Sequence, residues 1–441
     1  MKKFNLICSL LFYSLSSIAF AQEVTLSTAQ KLAIENSPKL KQTESDVNIS
    51  DATKLKNISA HLPHISVSSE HLFAEKFQAE SISLNGTPLT LPLIEPFTDV
   101  SATASLMVFD GLSTWYNYKA ASTNHEADEL IYNREKFQLE EDIKMKFYEV
   151  IGSRDMVDVA EQNVQVLEQH LQDINNQIKG GVAIKFDALR IEVQLEDART
   201  ELLSSKDNLV LAEAKLVQAL GVDQLNGSVA GKMPPIFDED IRKADFTPEE
   251  RDDYKAQELK DQGALYASRA TKGKWFPTVN FFATQMWYNG MLYDTTTNVT
   301  SGSQFRNAYS LGVLLTWDLF DGGKTIANSR IASEELERSK QKLRELNQSI
   351  PVDIDFWKRR LFHSAASYRA ATVSVEKSQE SVRLARNAVK AGIRTNTDLL
   401  DAERDLYTSK LKVVKAQLEA IESEANLELA LGKKLNLFQG V

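Results

Sequence analysis

The segment KAGIRTNTDLLDAERDLY, residues 390–407, has the pattern of a tight turn between two helices. Gly392 is a typical residue just after a helix, and a polar run follows it. A new helix is expected to start at Thr397 or Asp398. Asp398 and Asp401 are three residues apart, which places both carboxylates on one face of the first turn. A helix cap and a functional acid pair both fit this pattern.

An earlier segment, KGGVAIKFDALRIEVQL at residues 179–195, has the same layout. Asp187 stands in the position of Asp398, whereas Arg190 stands in the position of Asp401. A helix start of this type therefore does not require the second acid. We expect Asp401 to have a role beyond starting the helix.

The two segments belong to an internal repeat with an offset of 211 residues. The sequence is interpreted as a first repeat over 22–221, a connector over 222–247 and a second repeat over 248–441. The matching positions are Phe109-Asp110-Gly111 with Phe320-Asp321-Gly322, Asp187 with Asp398, and Ala219-Leu220-Gly221 with Ala430-Leu431-Gly432.

Each repeat has two stretches in which apolar and polar residues alternate, as in strands with one apolar face. The predicted strands are about 64–82 and 98–109 in the first repeat, and about 278–289 and 306–320 in the second. The polar stretches 74–96 and 289–305 are predicted to be exposed loops. Apolar and polar residues alternate in the same way in a lipid-facing sheet and in a soluble half-buried sheet, so the pattern fits both.

A long helical hairpin is predicted after each strand pair, over 110–221 and over 321–432. Apolar residues in the first outgoing helix are spaced alternately by three and four, as in a coiled coil. A helix of about 69 residues would be roughly 100 Å long. In the second copy, Pro351 is expected to kink or break the corresponding helix.

The N-terminus resembles a secretory signal peptide over residues 1–21, with a basic start, an apolar core and a small-x-small cleavage site. Cys8, the single cysteine, lies within it, so the mature chain would have no disulfide. The net charge of −10 argues against nucleic acid as a partner. The six histidines lack a metal-binding spacing, and no nucleophile motif is present. We therefore expect no enzyme, cofactor or metal site.

Four strands are too few to close a membrane β-barrel, which needs about eight. An open sheet edge leaves backbone groups unsatisfied in lipid. If the strands cross a membrane, several chains must therefore share one barrel. Two chains would supply about 8 strands, whose interior side chains would fill, and three would supply about 12, which could leave a lumen.

The whole mature sequence resembles the TolC-like outer-membrane efflux and secretion family. The resemblance rests on the repeated strand–strand–hairpin plan, the paired Phe-Asp-Gly turns, the Ala-Leu-Gly helix ends and, most specifically, residues 392–402. It implies a fold of long α-helical hairpins, forming an α-barrel, plus four β-strands per chain in a shared 12-stranded trimeric β-barrel. It also implies a cell outer-membrane location with a long periplasmic extension.

The resemblance further implies site residues at the periplasmic entrance. Asp398 and Asp401 match an acidic ring, which has six carboxylates in a trimer. Arg394 matches an arginine that bridges to an acid on the other hairpin, and Asp187 fits that partner as a gate salt bridge. An ordinary solvated turn residue is the alternative for Arg394. Val389 stands near the place where some members have a tyrosine.

The function implied is that of a passive exit duct in a tripartite efflux pump or a type I secretion system. The implied partners are two further copies of the chain, a periplasmic membrane-fusion (adaptor) protein, an inner-membrane pump of the RND or ABC type, and outer-membrane lipid. The alternative is a periplasmic coiled-coil adaptor or scaffold without membrane insertion.

Overall fold

The computed structural model describes residues 23–73, 79–92, 98–181, 183–225, 227–247, 251–294 and 299–438. The predicted signal peptide, 1–21, lies outside these ranges. In chain order the elements are α1 (Leu26–Asn36), α2 (Pro38–Ile58), a short 3-10 turn (Ser59–His61), β1 (His64–His71), β2 (Ala79–Leu84), β3 (Thr87–Pro92), β4 (Thr98–Phe109), α3 (Ser113–Lys179), α4 (Lys185–Leu220), α5 (Asp238–Lys243), α6 (Asp252–Gly273), β5 (Thr278–Asp294), β6 (Val299–Thr316), α7 (Lys324–Lys390) and α8 (Asn396–Leu431).

The chain forms two compact units that differ from the two sequence repeats. Unit 1 contains residues 1–41, 135–249 and 350–441, and unit 2 contains 42–134 and 250–349. Each unit takes segments from both repeats, because the 67-residue helices α3 and α7 each contribute to both units. The repeat thus reflects the order of elements along the chain, whereas the two units reflect which elements pack together.

Unit 2 contains a four-stranded antiparallel sheet in the order β1-β4-β5-β6. This sheet and the long helical hairpins confirm the predicted fold class. Side chains from the two repeats meet in its centre, where the hydroxyls of Thr103 and Thr284 are 3.2 Å apart. The apolar row predicted on the last strand is solvent-exposed in the single chain and comprises Tyr309, Leu311, Val313 and Leu315.

The strand boundaries differ from those expected. The strand expected over 64–82 ends at His71, and the expected loop 74–96 contains the separate hairpin β2–β3. Its turn is Asn85-Gly86, whose φ angles of 55° and 83° suit a tight two-residue hairpin. The expected loop 289–305 is largely taken up by the extensions of β5 and β6, and 295–298 lie outside the described residues.

The recurring Phe-Asp-Gly motif caps the long helices of unit 2. A carboxylate oxygen of Asp110 accepts hydrogen bonds from the Thr114 N–H at 2.7 Å and its hydroxyl at 2.6 Å. Asp321 accepts the same pair from Thr325, at 2.9 and 2.6 Å. The repeated aspartate is therefore explained by the orphan backbone N–H that it satisfies at each helix start, together with the threonine hydroxyl of the same residue.

The core of unit 1 is formed by apolar faces of α1, α3, α4, α7 and α8. The coiled-coil residues expected in α3 are the ones that pack, since Val164, Leu167 and Ile174 are buried against α4. Gly221 and Gly432 follow α4 and α8 with φ of 69° and 77°, which explains the repeated Ala-Leu-Gly ends.

Of the kink or break expected at Pro351, the break was wrong, because α7 runs unbroken from Lys324 to Lys390; the kink stays a prediction. Pro351 is exposed, so water can satisfy the carbonyl that loses its helical partner. Among the described helices, none combines the length and the apolar character required to cross a bilayer.

Candidate functional site

The candidate site lies in unit 1, at the turns where α3 meets α4 and α7 meets α8. Helix α7 ends at Lys390, and Gly392 adopts a φ of 71° that closes the turn. Helix α8 begins at Asn396, one residue before the earliest expected position, because Thr395 serves as its N-cap.

Asp398 completes a capping box with Thr395. Its carboxylate accepts hydrogen bonds from the Thr395 N–H at 3.0 Å and from its hydroxyl at 2.9 Å, and the Asp398 N–H points back to that hydroxyl at 3.4 Å. These hydrogen bonds, with a smaller contribution from the Arg394 charge, hold the pKa of Asp398 below its ordinary value. Asp398 is thus a structural cap that remains ionised, with a side chain that is 39% exposed.

Asp187 has the same position in α4 but not the same contacts. The N-cap of α4 is Ile184, which has no side-chain acceptor. Asp187 lies at the third helical position, where the helix dipole favours a carboxylate. Its equivalence to Asp398 is therefore positional, and the capping box is specific to the second repeat.

Arg394 lies against Asp398 of its own turn. A guanidinium nitrogen is 3.6 Å from a carboxylate oxygen of Asp398, and 61% of the Arg394 side chain is exposed. Within the described part of the chain, no hydrogen bond or ion pair joins Arg394 to Asp187. Their pairing at a closed entrance stays a prediction.

Arg190 provides a contact between the two hairpins. Its guanidinium donates a hydrogen bond of 2.9 Å to the Thr397 hydroxyl, which joins α4 to the first turn of α8. The sequence shows Arg190 only as the residue at the position of Asp401 in the first repeat, and it does not predict this contact. Asp401 itself is exposed, and its side chain has no hydrogen-bond or ion-pair partner among the residues described.

A second contact between the hairpins was missed by the sequence analysis. Glu403 of α8 has a side chain that is only 5% exposed. One of its oxygens is 3.2 Å from His170 Nδ1 on α3, and the other accepts a 3.1 Å hydrogen bond from Arg386 on α7. The available signal was the spacing of Leu399, Glu403 and Leu406, which puts an acid on the buried stripe of the helix.

The two hairpins also line a half-open groove with a volume of about 550 Å³, whose walls are about equally polar and apolar. It lies between α3 and the α7–α8 hairpin, so any movement between the hairpins would change its width. Its principal polar lining residues are Gln162, Gln169, His170, Asp173, Arg386, Asn396, Glu403 and Lys410.

The described residues contain no group of three or more His, Cys, Asp or Glu side chains that could hold a metal ion. In one chain, Asp398 and Asp401 supply two carboxylates on one helix, of which Asp398 is occupied as a cap. The arrangement suits electrostatic attraction of passing cations better than permanent coordination.

A model of the protein family described as outer membrane efflux protein matches residues 30–222 and 248–433. The outer membrane efflux protein BepC of Brucella suis is 23% identical over 419 residues, covering 93% of this chain and 85% of that protein. The alkaline protease secretion protein AprF of Pseudomonas aeruginosa is 31% identical over 146 residues, covering 32% and 30% of the two chains.

Solved structures share the fold along nearly the whole chain. The outer membrane protein VceC of Vibrio cholerae superposes with a TM-score of 0.71 at 14% identity, covering 93% of this chain and 97% of that one. A membrane protein from Pseudomonas aeruginosa gives a TM-score of 0.75 at 17% identity, with coverages of 93% and 90%.

Proposed function

The chain belongs to the outer membrane efflux protein family, and we propose that it forms the homotrimeric exit duct of a tripartite efflux pump or a type I secretion system. Membership of a family of channel proteins, not enzymes, agrees with the outer-membrane location and the efflux role expected from the sequence. The assembly, its partners and its entrance are the parts that we propose here.

The observation that carries the proposal is the exposed sheet of unit 2. Its edge strands are β1 and β6, and the side chains of Tyr309 and Leu311 on β6 are 84% and 80% exposed. An apolar row of this kind requires lipid or protein to cover it. Three copies joined edge to edge supply about 12 strands, which satisfies the edges and gives the row a lipid-facing position.

The hairpin tips of unit 1 then form the periplasmic entrance. Three copies of Asp398 and Asp401 place six carboxylates around one axis, where they would attract cations. Arg394 and Asp187 are proposed as the ion pair that closes this entrance. Because the single chain pairs Arg394 with Asp398 at 3.6 Å, closing would require Arg394 to exchange partners.

The partners proposed are a periplasmic adaptor protein and an inner-membrane pump of the RND or ABC type. A passive duct needs both, because no energy-coupling site is evident in the sequence. Relatives suggest both cargo classes, since BepC is named an efflux protein, whereas AprF and PrtF of Dickeya chrysanthemi are named for protease secretion.

The test is native mass spectrometry of the mature protein in detergent, followed by planar-bilayer recording. A trimer that forms ion-conducting channels is expected. A detergent-free soluble monomer without conductance would instead support the periplasmic scaffold. Crosslinking in cells and identification of the captured pump as RND or ABC type would then distinguish drug efflux from protein secretion.

A further inference from the structure

A cluster of buried charges lies in unit 1, away from the hairpin tips. Glu424 and Glu428 on α8 are fully buried, and Glu141 on α3 is 1% exposed. Lys144 on α3 lies between them, with its ammonium nitrogen 2.9 Å from oxygens of both Glu424 and Glu428 and 3.6 Å from Glu141. Three carboxyl groups therefore share one buried cation.

Two of these carboxylates bind the backbone that follows α8. Glu428 accepts hydrogen bonds from the N–H groups of Leu435, at 2.5 Å, and Asn436, at 2.9 Å. Glu424 accepts them from Leu437, at 2.5 Å, and Phe438, at 3.3 Å. Four consecutive backbone donors thus end on two buried carboxylates, and the Phe438 side chain is buried beside them.

Glu141 has fewer partners than its two neighbours: it accepts no backbone N–H, its nearest oxygen is 3.6 Å from the Lys144 ammonium nitrogen, and that oxygen has no hydrogen-bond partner among the described residues. One lysine cannot neutralise three buried carboxylates, so at least one of the three carboxyl groups is expected to carry a proton. Glu428 is already an acceptor for Lys144 and two amides, so the proton belongs on Glu141. This assignment also reduces the buried negative charge, which is costly without partners.

We propose that Glu141 is protonated, and that Glu141, Lys144, Glu424 and Glu428 form a proton-linked clamp on residues 435–438. Loss of the proton places a third ionised carboxylate beside Glu428. The repulsion loosens the attachment of the segment to α3 and α8.

The surrounding charges agree with this assignment. Burial, reinforced by the Glu428 charge, raises the pKa of Glu141 to about 8. Burial acts to raise the pKa of Glu428 too, but the Lys144 charge and the hydrogen bond from the Asn436 amide hold it below its ordinary value. Burial raises the pKa of Glu424, opposed by Lys144 and the Leu437 amide.

The other titratable groups that face the cluster are Tyr148 on α3 and Lys434 after α8. Burial raises the pKa of the Tyr148 phenol, so it stays neutral. Lys434 is paired with Glu140 at 2.6 Å.

The direction of the pH dependence follows from the raised pKa. The pKa of Glu141 is about 8 in the folded protein, against an ordinary value of 4.5. The stabilisation that the Glu141 proton gives to the clamp is therefore complete below about pH 4.5. It is lost as the pH rises between these two values, and it stays lost above pH 8. The clamp therefore weakens with rising pH.

Hydrogen exchange of the 435–438 amides, corrected for intrinsic rates and measured on the full chain in detergent, tests the clamp. Protection should fall by roughly tenfold or more from about pH 5.5 to pH 8, since one pKa unit is a tenfold change. E141Q keeps a hydrogen-bond donor and has no ionisable group, so its protection should be high and nearly independent of pH. E428Q should lower protection at every pH.

E149Q is the matched control, because Glu149 lies on the same helix as Glu141 and pairs with Lys215 instead of Lys144. It should keep the pH dependence of the unmodified protein. An unchanged pH dependence in E141Q would overturn the proposal. If the variants do not fold, infrared spectroscopy of the unmodified protein decides: a protonated-carboxyl band should persist at pH 7 and disappear above about pH 8, and its absence at pH 7 would refute the clamp.

Discussion

The Arg190 guanidinium donates a 2.9 Å hydrogen bond to the Thr397 hydroxyl and so connects the tip of one hairpin to the start of the other. The two residues come from different repeats: Arg190 follows the turn of the first hairpin, and Thr397 follows the equivalent turn of the second. In the second repeat the position of Arg190 is occupied by Asp401, which is free of such a contact among the described residues. The first repeat thus provides the arginine that links the two hairpins, and the second provides a carboxylate without such a contact among the described residues.

The Arg190–Thr397 contact is expected to restrain the hairpins at the entrance. Both R190A and T397V should raise the open probability of the channel in planar-bilayer recordings, because each removes the hydrogen bond. An exposed bond of this kind contributes about 0.5–1.5 kcal/mol, so the effect should be a few-fold in open probability. The double variant should resemble either single variant, and additive increases would show that the two residues act separately.

The role of Arg394 can be separated from its contact with Asp398. R394S should raise conductance if Arg394 closes the entrance by pairing with Asp187, and D187N should then have the same effect. D398N removes the partner seen in the single chain and serves as the comparison. A conductance change in D398N alone, with R394S and D187N unaltered, would leave Arg394 as an ordinary turn residue.

The acidic ring is best tested at Asp401, because Asp398 is also a helix cap. D401N should weaken cation preference and block by multivalent cations in planar bilayers, while the melting temperature stays within about 1 °C, as for most exposed substitutions. D398A should alter selectivity and also cost about 1 kcal/mol of stability through loss of the cap. Cation selectivity unchanged in D401N would remove Asp401 from the ring.

Gly111 and Gly322 form a matched pair for testing the close packing of unit 2. Both have positive φ, 70° and 71°, so alanine strains each by about 1–2 kcal/mol. A Cβ at Gly111 would also lie 2.1 Å from the Gly273 carbonyl oxygen, whereas one at Gly322 meets no atom within 4 Å in the single chain. G111A should therefore lower the yield of folded protein and its thermal stability far more than G322A. Equal losses would contradict the Gly111–Gly273 contact.

The repeat made much of this architecture predictable. The helix ends at Gly221 and Gly432 and the turn at Asp110 are set by the residues themselves and their near neighbours in the chain, so they can be predicted from the sequence. Local pattern could not place the ends of β5 and β6, because the polar residues there pair across a ladder instead of forming a loop. It also could not show that Glu403 meets His170, 233 residues away, since such contacts depend on how two hairpins pack.

The capping box of α8 has an evolutionary consequence. Substitutions at Asp398 are constrained by folding whether or not the residue attracts ions, because its carboxylate satisfies Thr395 at the helix start. The Asp401 carboxylate accepts no such hydrogen bond among the described residues. A substitution at Asp401 therefore leaves the turn intact, whereas one at Asp398 removes the hydrogen bonds that hold Thr395 at the helix start.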